Sequence, residues 1–203
     1  MNTNHDADVL RDLPAATEAD LAALHARLAE RAAADGVLDV AYRTLDTPVG
    51  TLLLAATEAG LVRVAFPIEG HDEVLQALAA RISPRVLRAP ARLDAVSREI
   101  DEYFAGRRRS FDLPLDYSLS SGFRREVLTQ LPGIGYGQTA SYATIAATVG
   151  SPRAFRAVGT ACATNPLPVV VPCHRVIKSG GDLGRYRGGP DAKRFLLDLE
   201  AAA

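Results

Sequence analysis

The sequence predicts a mixed α/β (α+β) fold in which a small antiparallel sheet with helices is followed by a mostly helical unit. Short β-like runs separated by turn residues fill positions 40–67, and helical periodicities dominate the rest of the chain. The charge also changes between the halves: residues 1–119 carry 13 Lys/Arg and 19 Asp/Glu, and residues 120–203 carry 10 and 5, giving −6 and +5. The basic second half indicates a phosphate-bearing partner.

Residues 17–35 have the periodicity of an amphipathic helix that starts after Thr17 and stops at Gly36. Its apolar stripe consists of Leu21, Leu24 and Leu28. Such a helix either docks on the body of the protein or frays from it, or it binds a partner, and the partner-binding use is the less common one. We expect residues 1–38 to form an N-terminal extension that contains this helix.

Residues 40–67 contain the runs VAYRTLD, TLLLAATE and LVRVAF, separated by turn-forming TPVG and EAG. This pattern predicts a three-stranded antiparallel meander. Helical patterns follow at 70–82 and 90–105. Residues 107–117 are expected to be a linker with a short extended piece.

Three helices are predicted in the second half, over 121–131, 141–150 and 152–163, with Pro152 in the first turn of the last one. A tight Gly-Ser turn joins the last two, as in a helix-turn-helix. The final helix carries small residues around two arginines: Ala154, Ala157, Gly159, Ala161 and Ala163 around Arg153 and Arg156. Small residues allow either close helix packing or approach to a nucleic-acid groove, and both uses stay open.

The segment NPLPVVVPCHRVI, residues 165–177, places a thiol beside two basic side chains at the end of an apolar run. An imidazole near a cysteine can lower the thiol pKa to about 3.5–7.5, so Cys173 with His174 is a candidate nucleophile and base. Neighbouring side chains of an extended segment point apart, so the pair needs a bent backbone or a bridging water. Glu200 is an available carboxylate to orient the imidazole. The alternative, a buried inert thiol, is expected for Cys162.

The bulk composition restricts the remaining possibilities. The 203-residue chain has no run of 18 apolar residues, and MNTNHDADVL lacks the features of a secretory signal, so we expect a cytoplasmic protein without a membrane span. Both cysteines should be reduced. Four scattered histidines and no C-x-x-C pair predict that no metal is bound.

The second half resembles the O6-alkylguanine DNA alkyltransferases, also called methylated-DNA-protein-cysteine methyltransferases. The resemblance rests on NPLPVVVPCHRVI together with GQTASYATIAATVGSPRAFRAVGTACATNP before it and GDLGRYRGGPDAKRFLLDLE after it. Residues 39–115 resemble the family's ribonuclease-H-like N-terminal domain more loosely, and 116–203 resemble its winged-helix-like DNA-binding and alkyl-acceptor domain.

This resemblance implies a DNA repair protein that is consumed in one turnover. Cys173 would take the alkyl group from O6 of guanine, and from O4 of thymine, in duplex DNA. His174 would accept the thiol proton through a water, with Glu200 orienting the imidazole. Tyr142 would donate a hydrogen bond or proton to N3 of the departing guanine.

The resemblance also implies a monomer that binds double-stranded DNA and rotates the damaged base out of the helix. Arg156 would fill the space that the base leaves. The DNA-contacting residues would be Arg153, Ala154, Phe155, Arg156, Ala157 and Gly159. The substrate pocket would involve Asn165, Pro168, Val176, Tyr186 and Arg187, and no cofactor is implied.

Two positions depart from the family pattern. Phe155 stands where a small residue is frequent, and Arg187 stands where the family often has a smaller residue, which bears on the width of the pocket. The zinc ligands of some relatives are missing.

Two other functions remain possible on the sequence. A non-catalytic alkyltransferase-like lesion-binding module would carry tryptophan in place of the reactive cysteine, and this chain has no tryptophan. A cysteine hydrolase would need an oxyanion hole and repeated turnover, and it would leave the helix-turn-helix without a purpose.

Overall fold

The computed structural model describes residues 17–202, so the first 16 residues of the expected extension lie outside the described range. Helix α1 (Glu18–Ala34) begins as predicted, because the Thr17 side chain accepts a hydrogen bond from the Asp20 N–H at 3.2 Å and Asp20 caps the Thr17 N–H in return. The helix docks on the body, as expected, but by another face than the leucine stripe. It docks through small side chains, because Ala29 and Ala32 pack against a cluster formed by Leu38, Ala41 and Ala89. The leucine stripe stays in solvent: Leu21, Leu24 and Leu28 are 47%, 55% and 52% exposed.

The predicted meander is present as strands β1 (Val40–Leu45), β2 (Leu52–Thr57) and β3 (Gly60–Ala65), which pair antiparallel in sequence. A fourth strand, β4 (Val86–Arg88), pairs parallel with β1 and gives the order β3-β2-β1-β4. The sheet is therefore not purely antiparallel. Strand β4 has only three residues, too few for an alternating pattern to be recognised in the sequence.

Both faces of this sheet are covered. Helix α2 (His71–Arg81) packs Val74 and Leu78 on one face. The other face meets helix α3 (Asp94–Phe104), which follows a 3-10 turn at Pro90–Leu93. A short extended piece also occurs where the sequence predicts one, because Leu115 bridges to Leu61 of β3.

The described part of the second half contains four α-helices: α4 (Gly122–Gln130), α5 (Tyr142–Thr148), α6 (Phe155–Ala163) and α7 (Gly189–Ala201). Strands β5 (Ala140–Ser141) and β6 (Val176–Ile177) form a small parallel pair. Helices α5 and α6 make the predicted helix-turn-helix. Helix α6 begins at Phe155 rather than at position 152, because residues 152 and 153 belong to a turn that the Ala154 N–H closes on the Ser151 carbonyl.

One hydrophobic core joins the two halves. It contains Leu54 of β2 and Tyr103 of α3 from the first half, and Val127 of α4 and Leu196 of α7 from the second. The predicted α/β (α+β) architecture is confirmed. No helix within residues 17–202 is both long and apolar enough to cross a membrane, and no cluster of three or more His, Cys, Asp or Glu side chains in that range could hold a metal ion.

Candidate active site

The loop that connects α6 to Cys173 is organised by the amide of the buried Asn165. Its Oδ1 accepts the Leu167 N–H at 2.9 Å, and its Nδ2 donates to the Val171 carbonyl at 2.9 Å and to Sγ of Cys173 at 3.2 Å. Val169 within this loop has a φ of 72°, which a β-branched residue rarely adopts. The amide therefore holds a strained turn and contacts the thiol directly.

Cys173 begins a 3-10 turn that runs to Arg175, so the backbone is bent at the point where the sequence requires either a bend or a water. The thiol is only 1% exposed. Burial raises the pKa of Cys173 to about 11, although the Asn165 hydrogen bond and the charges of Lys193 and Arg187 act in the opposite direction. The expectation of a thiolate with a lowered pKa is therefore wrong for this state, and deprotonation needs a base.

The neighbouring imidazole is suited to that task. Nε2 of His174 lies 2.8 Å from Oε1 of Glu200, and both side chains are buried. Burial lowers the pKa of His174 despite the opposing effect of Glu200, so the ring is neutral at pH 7. Because Glu200 is ionised, we assign the ring proton to Nε2. Nδ1, which has no hydrogen-bond partner among the described residues, then carries the lone pair that can accept a proton.

Glu200 is held by more groups than the sequence indicates. Arg175 donates from Nε to Oε2 at 2.8 Å and from Nη2 to Oε1 at 2.9 Å. The hydroxyl of Tyr103 donates to Oε1 at 2.7 Å, and the Gly137 N–H donates to Oε2 at 3.1 Å. Burial alone would raise the pKa of Glu200, but the hydrogen bonds from His174 and Arg175 outweigh it and hold the pKa far below its ordinary value.

A second buried cation lies behind the thiol. Nζ of Lys193 donates to the Val176 carbonyl at 2.6 Å and to the Leu183 carbonyl, and burial lowers its pKa. One lone pair of the Val176 carbonyl is therefore already used within the protein. Sequence reasoning missed Lys193, although a lysine among apolar positions of a helix is a detectable signal.

Tyr142 opens helix α5 and is half-buried next to two glycines. A Cβ at Gly184 would overlap the Tyr142 hydroxyl, and a Cβ at Gly159 would lie 3.9 Å from its ring. Burial raises the pKa of Tyr142 to about 12, so its hydroxyl keeps its proton at pH 7 and can donate it. The phenol thus stands between helix α6 and the 183–188 loop.

The 183–188 loop, the last part of the connection between β6 and α7, lies over His174. The ring of Tyr186 is buried and meets the imidazole edge-on, with centroids 6.3 Å apart at 86°. Arg187, expected at the substrate pocket, forms an ion pair with Glu69 in the first half of the chain. Pro168 is buried in the loop that Asn165 organises.

Most of the predicted DNA-contacting residues lie on the solvent-exposed side of the helix-turn-helix. Arg153, Phe155, Arg156 and Ala157 are exposed, whereas Ala154 and Gly159 are half-buried. The Arg156 guanidinium lies 5.9 Å from the centre of the Phe155 ring. The opposite side of α6 packs into the core through Val158, Ala161 and Cys162, so Cys162 is a core residue.

Comparison with known families gives two matches that together span most of the chain. Residues 40–117 match the family described as "6-O-methylguanine DNA methyltransferase, ribonuclease-like domain". Residues 122–202 match the family described as "6-O-methylguanine DNA methyltransferase, DNA binding domain".

Individual relatives agree with these matches. The methylated-DNA–protein-cysteine methyltransferase of Methanosarcina barkeri is 38% identical over 159 residues, which cover 78% of this chain and 96% of the relative. The constitutive enzyme of the same name from Bacillus subtilis is 39% identical over 163 residues, covering 78% and 94%.

Solved structures agree as well. The O6-methylguanine methyltransferase of Mycobacterium tuberculosis superimposes with a TM-score of 0.70 at 36% identity and covers 80% of this chain and 93% of its own. A second structure of the mycobacterial protein, in complex with DNA, has the same TM-score and coverage.

Proposed function

Because the chain belongs to the 6-O-methylguanine DNA methyltransferase family, we propose that it repairs DNA by moving an alkyl group from O6 of guanine, or O4 of thymine, onto its own Cys173. The observation that carries this proposal is the buried Cys173-His174-Glu200 arrangement, in which Nδ1 of His174 has no partner among residues 17–202. A lone pair at this position, one residue from a protonated thiol, is what a proton acceptor requires.

The proposed transfer is a direct displacement. His174 Nδ1 accepts the thiol proton through a water, while Glu200 stabilises the imidazolium that forms. The sulfur then bonds to the alkyl carbon as the bond from that carbon to O6 breaks, and the electron pair of the broken bond moves onto the guanine. Because Cys173 ends as a thioether, each molecule reacts once.

Tyr142 assists departure of the base by donating a hydrogen bond or proton to N3 of guanine. A pKa of about 12 supports this role, since the hydroxyl stays protonated at pH 7. Asn165 has a separate part, because its hydrogen bond to Sγ holds the nucleophile in place. Backbone groups of Cys173, of Val176 and of residues 185–188 would read the edge of the guanine.

The partner we propose is double-stranded DNA that carries alkylated guanine. A stacked base cannot reach a thiol that is 1% exposed, so the base must rotate out of the helix. The exposed side chains of α6, with Arg156 filling the space left behind, offer the contact surface, and Arg153 adds sequence-independent attraction to phosphate. We propose a cytoplasmic monomer that needs no metal or cofactor.

We also propose the division of labour along the chain. Residues 116–203 would bind DNA and accept the alkyl group, and residues 39–115 would form the ribonuclease-H-like unit beside them. Residues 1–38 would be an added extension.

Stoichiometry tests the proposal against both alternatives. With excess duplex that contains O6-methylguanine, the protein should demethylate one equivalent and then stop. Continued release of product would support a cysteine hydrolase, and binding without transfer would support a lesion-binding module. Cys173→Ala should bind duplex but transfer nothing, whereas Cys162→Ala, the matched control, should still reach one equivalent.

A further inference from the structure

One carboxylate in the first half of the chain holds two guanidinium groups. Oε2 of Glu69 forms ion pairs with Arg63 of β3 and with Arg187 of the 183–188 loop, 118 positions away in sequence. Oε1 accepts the Phe66 N–H at 2.9 Å, so both oxygens are engaged. The side chains of Glu69, Arg63 and Arg187 are 10%, 6% and 31% exposed. The Coulomb attraction within an ion pair shielded in this way is stronger than that within a pair on the open surface.

Arg63 connects the Glu69 carboxylate to the Asn165 loop, the second segment that contacts the Cys173 thiol. Its Nη1 donates to the Pro166 carbonyl at 3.2 Å, and the Val64 N–H donates to the same carbonyl at 2.9 Å. Pro166 directly follows Asn165, which contacts Sγ of Cys173. Glu69 is therefore linked to both segments that enclose the thiol.

The ring of Phe66 packs closely against the 183–188 loop beside this ion pair. Its ring meets Tyr186 edge-on at 5.6 Å, and a Cβ at Gly188 would come within 2.6 Å of the ring. The loop is thus pressed against Phe66 and tied to Glu69 through Arg187. Since Tyr186 and Gly184 of this loop contact His174 and Tyr142, its position sets the space around Cys173.

We infer that Glu69 is a specificity-determining residue: by holding the 183–188 loop through Arg187, it limits the size of the alkyl group that Cys173 can accept. The inference rests on the proposed alkyl transfer and adds to it a role for the first half of the chain. Loosening the ion pair lets the loop move outward, which favours a bulky group over methyl.

The test compares second-order rate constants for two duplexes, one with O6-methylguanine and one with O6-benzylguanine. Glu69→Gln and Arg187→Ala should each raise the benzyl-to-methyl rate ratio about fivefold. The double variant should raise it no further, because both changes remove the same ion pair. Arg187→Lys, which keeps the charge, should stay closer to wild type. Asp39→Asn breaks an exposed ion pair with Arg85 in the same half and should leave the ratio unchanged.

Ratios within about twofold of wild type in both single variants overturn the inference, as does a double variant whose effect is the product of the two single effects. If Glu69→Gln does not fold, the result with Arg187→Ala decides alone. Arg187 is the more exposed partner of the ion pair, so its removal disturbs the fold less. A wild-type protein that transfers neither group would instead overturn the proposed function.

Discussion

The hydroxyl of Tyr103 lies 2.7 Å from Oε1 of Glu200, although 97 positions separate the two residues. Tyr103 belongs to α3 in the first half, and Glu200 lies near the end of α7. The same hydroxyl is 3.5 Å from Nε2 of His174. The first half of the chain therefore contributes a hydrogen bond to the pair that would activate Cys173.

Tyr103→Phe removes this hydrogen bond and keeps the ring. We expect the free energy of unfolding to fall by about 1.5–3 kcal/mol, as for other hydrogen bonds to charged groups. With one donor fewer on Glu200, the pKa of His174 should rise, and the acid limb of the transfer rate should move to higher pH. Chemical denaturation and a pH profile measure the two effects.

Tyr136→Phe is the matched control, because the Tyr136 hydroxyl is buried without a hydrogen-bond partner among the described residues. It should change neither quantity appreciably. An unshifted acid limb in Tyr103→Phe would mean that Tyr103 only supports the fold.

The pH dependence of the transfer rate should reflect two shifted pKa values in the site, the lowered pKa of His174 and the raised pKa of Cys173. Burial lowers the pKa of His174, so the wild-type rate should persist below pH 6.5 and fall only when the imidazole is protonated. His174→Gln lacks the base and must rely on spontaneous ionisation of Cys173, whose pKa is about 11. Its rate should climb about tenfold per pH unit between about pH 7 and 10. His25→Gln, at an exposed position of α1, should behave as wild type, and a pH-independent rate in His174→Gln would refute the base role.

Arg156→Ala should separate DNA handling from chemistry. We expect repair of an alkylated duplex to slow about tenfold, while reaction with free O6-benzylguanine stays within about twofold of wild type, because a free base needs no flipping. Arg98→Ala, which removes an exposed arginine of α3, should affect neither reaction. Equal losses on the two substrates would argue against a role for Arg156 in holding the base out of the helix.

Gly184→Ala should displace the Tyr142 hydroxyl, since the added Cβ would overlap it. Transfer should slow about tenfold or more if that hydroxyl assists the departing base. Gly181→Ala provides the control. Gly181 has a φ of 87° and Gly184 a φ of 69°, so both backbones are strained by a side chain, but a Cβ at Gly181 meets no atom within 4 Å. Both variants should lose about 1–2 kcal/mol of stability from backbone strain, and only Gly184→Ala should lose activity. Equal transfer rates in Gly184→Ala and Gly181→Ala would show that the Tyr142 hydroxyl does not assist the departing base.

The sequence was sufficient where the signal is local. The short apolar runs of β2 and β3 with their turn residues, the Thr17 cap and the Pro-Cys-His-Arg segment each lie within a few residues, and they predicted the meander, α1 and the candidate nucleophile. Short or irregular elements escaped this approach. Strand β4 is defined by its pairing with β1 rather than by its own three residues.

The rest of the site depends on contacts between distant residues. Tyr103 and Glu69 reach it from the first half, and no local pattern in the sequence marks them. The raised pKa of Cys173 has the same origin, because it results from burial by the whole fold, whereas the neighbouring His174 suggested the opposite direction. The face of α1 that docks was also not predicted, since Ala29 and Ala32 pack on the body while the leucine stripe stays exposed.

The most direct test of alkyl transfer to Cys173 is tandem mass spectrometry of the protein after incubation with a duplex that contains O6-methylguanine. Trypsin should release residues 157–175 as one peptide, which contains both cysteines and so provides its own control. We expect one added methyl group per molecule, located on Cys173 by the fragment ions. A methyl group on Cys162, or an unmodified peptide from protein that has repaired its substrate, would contradict this expectation.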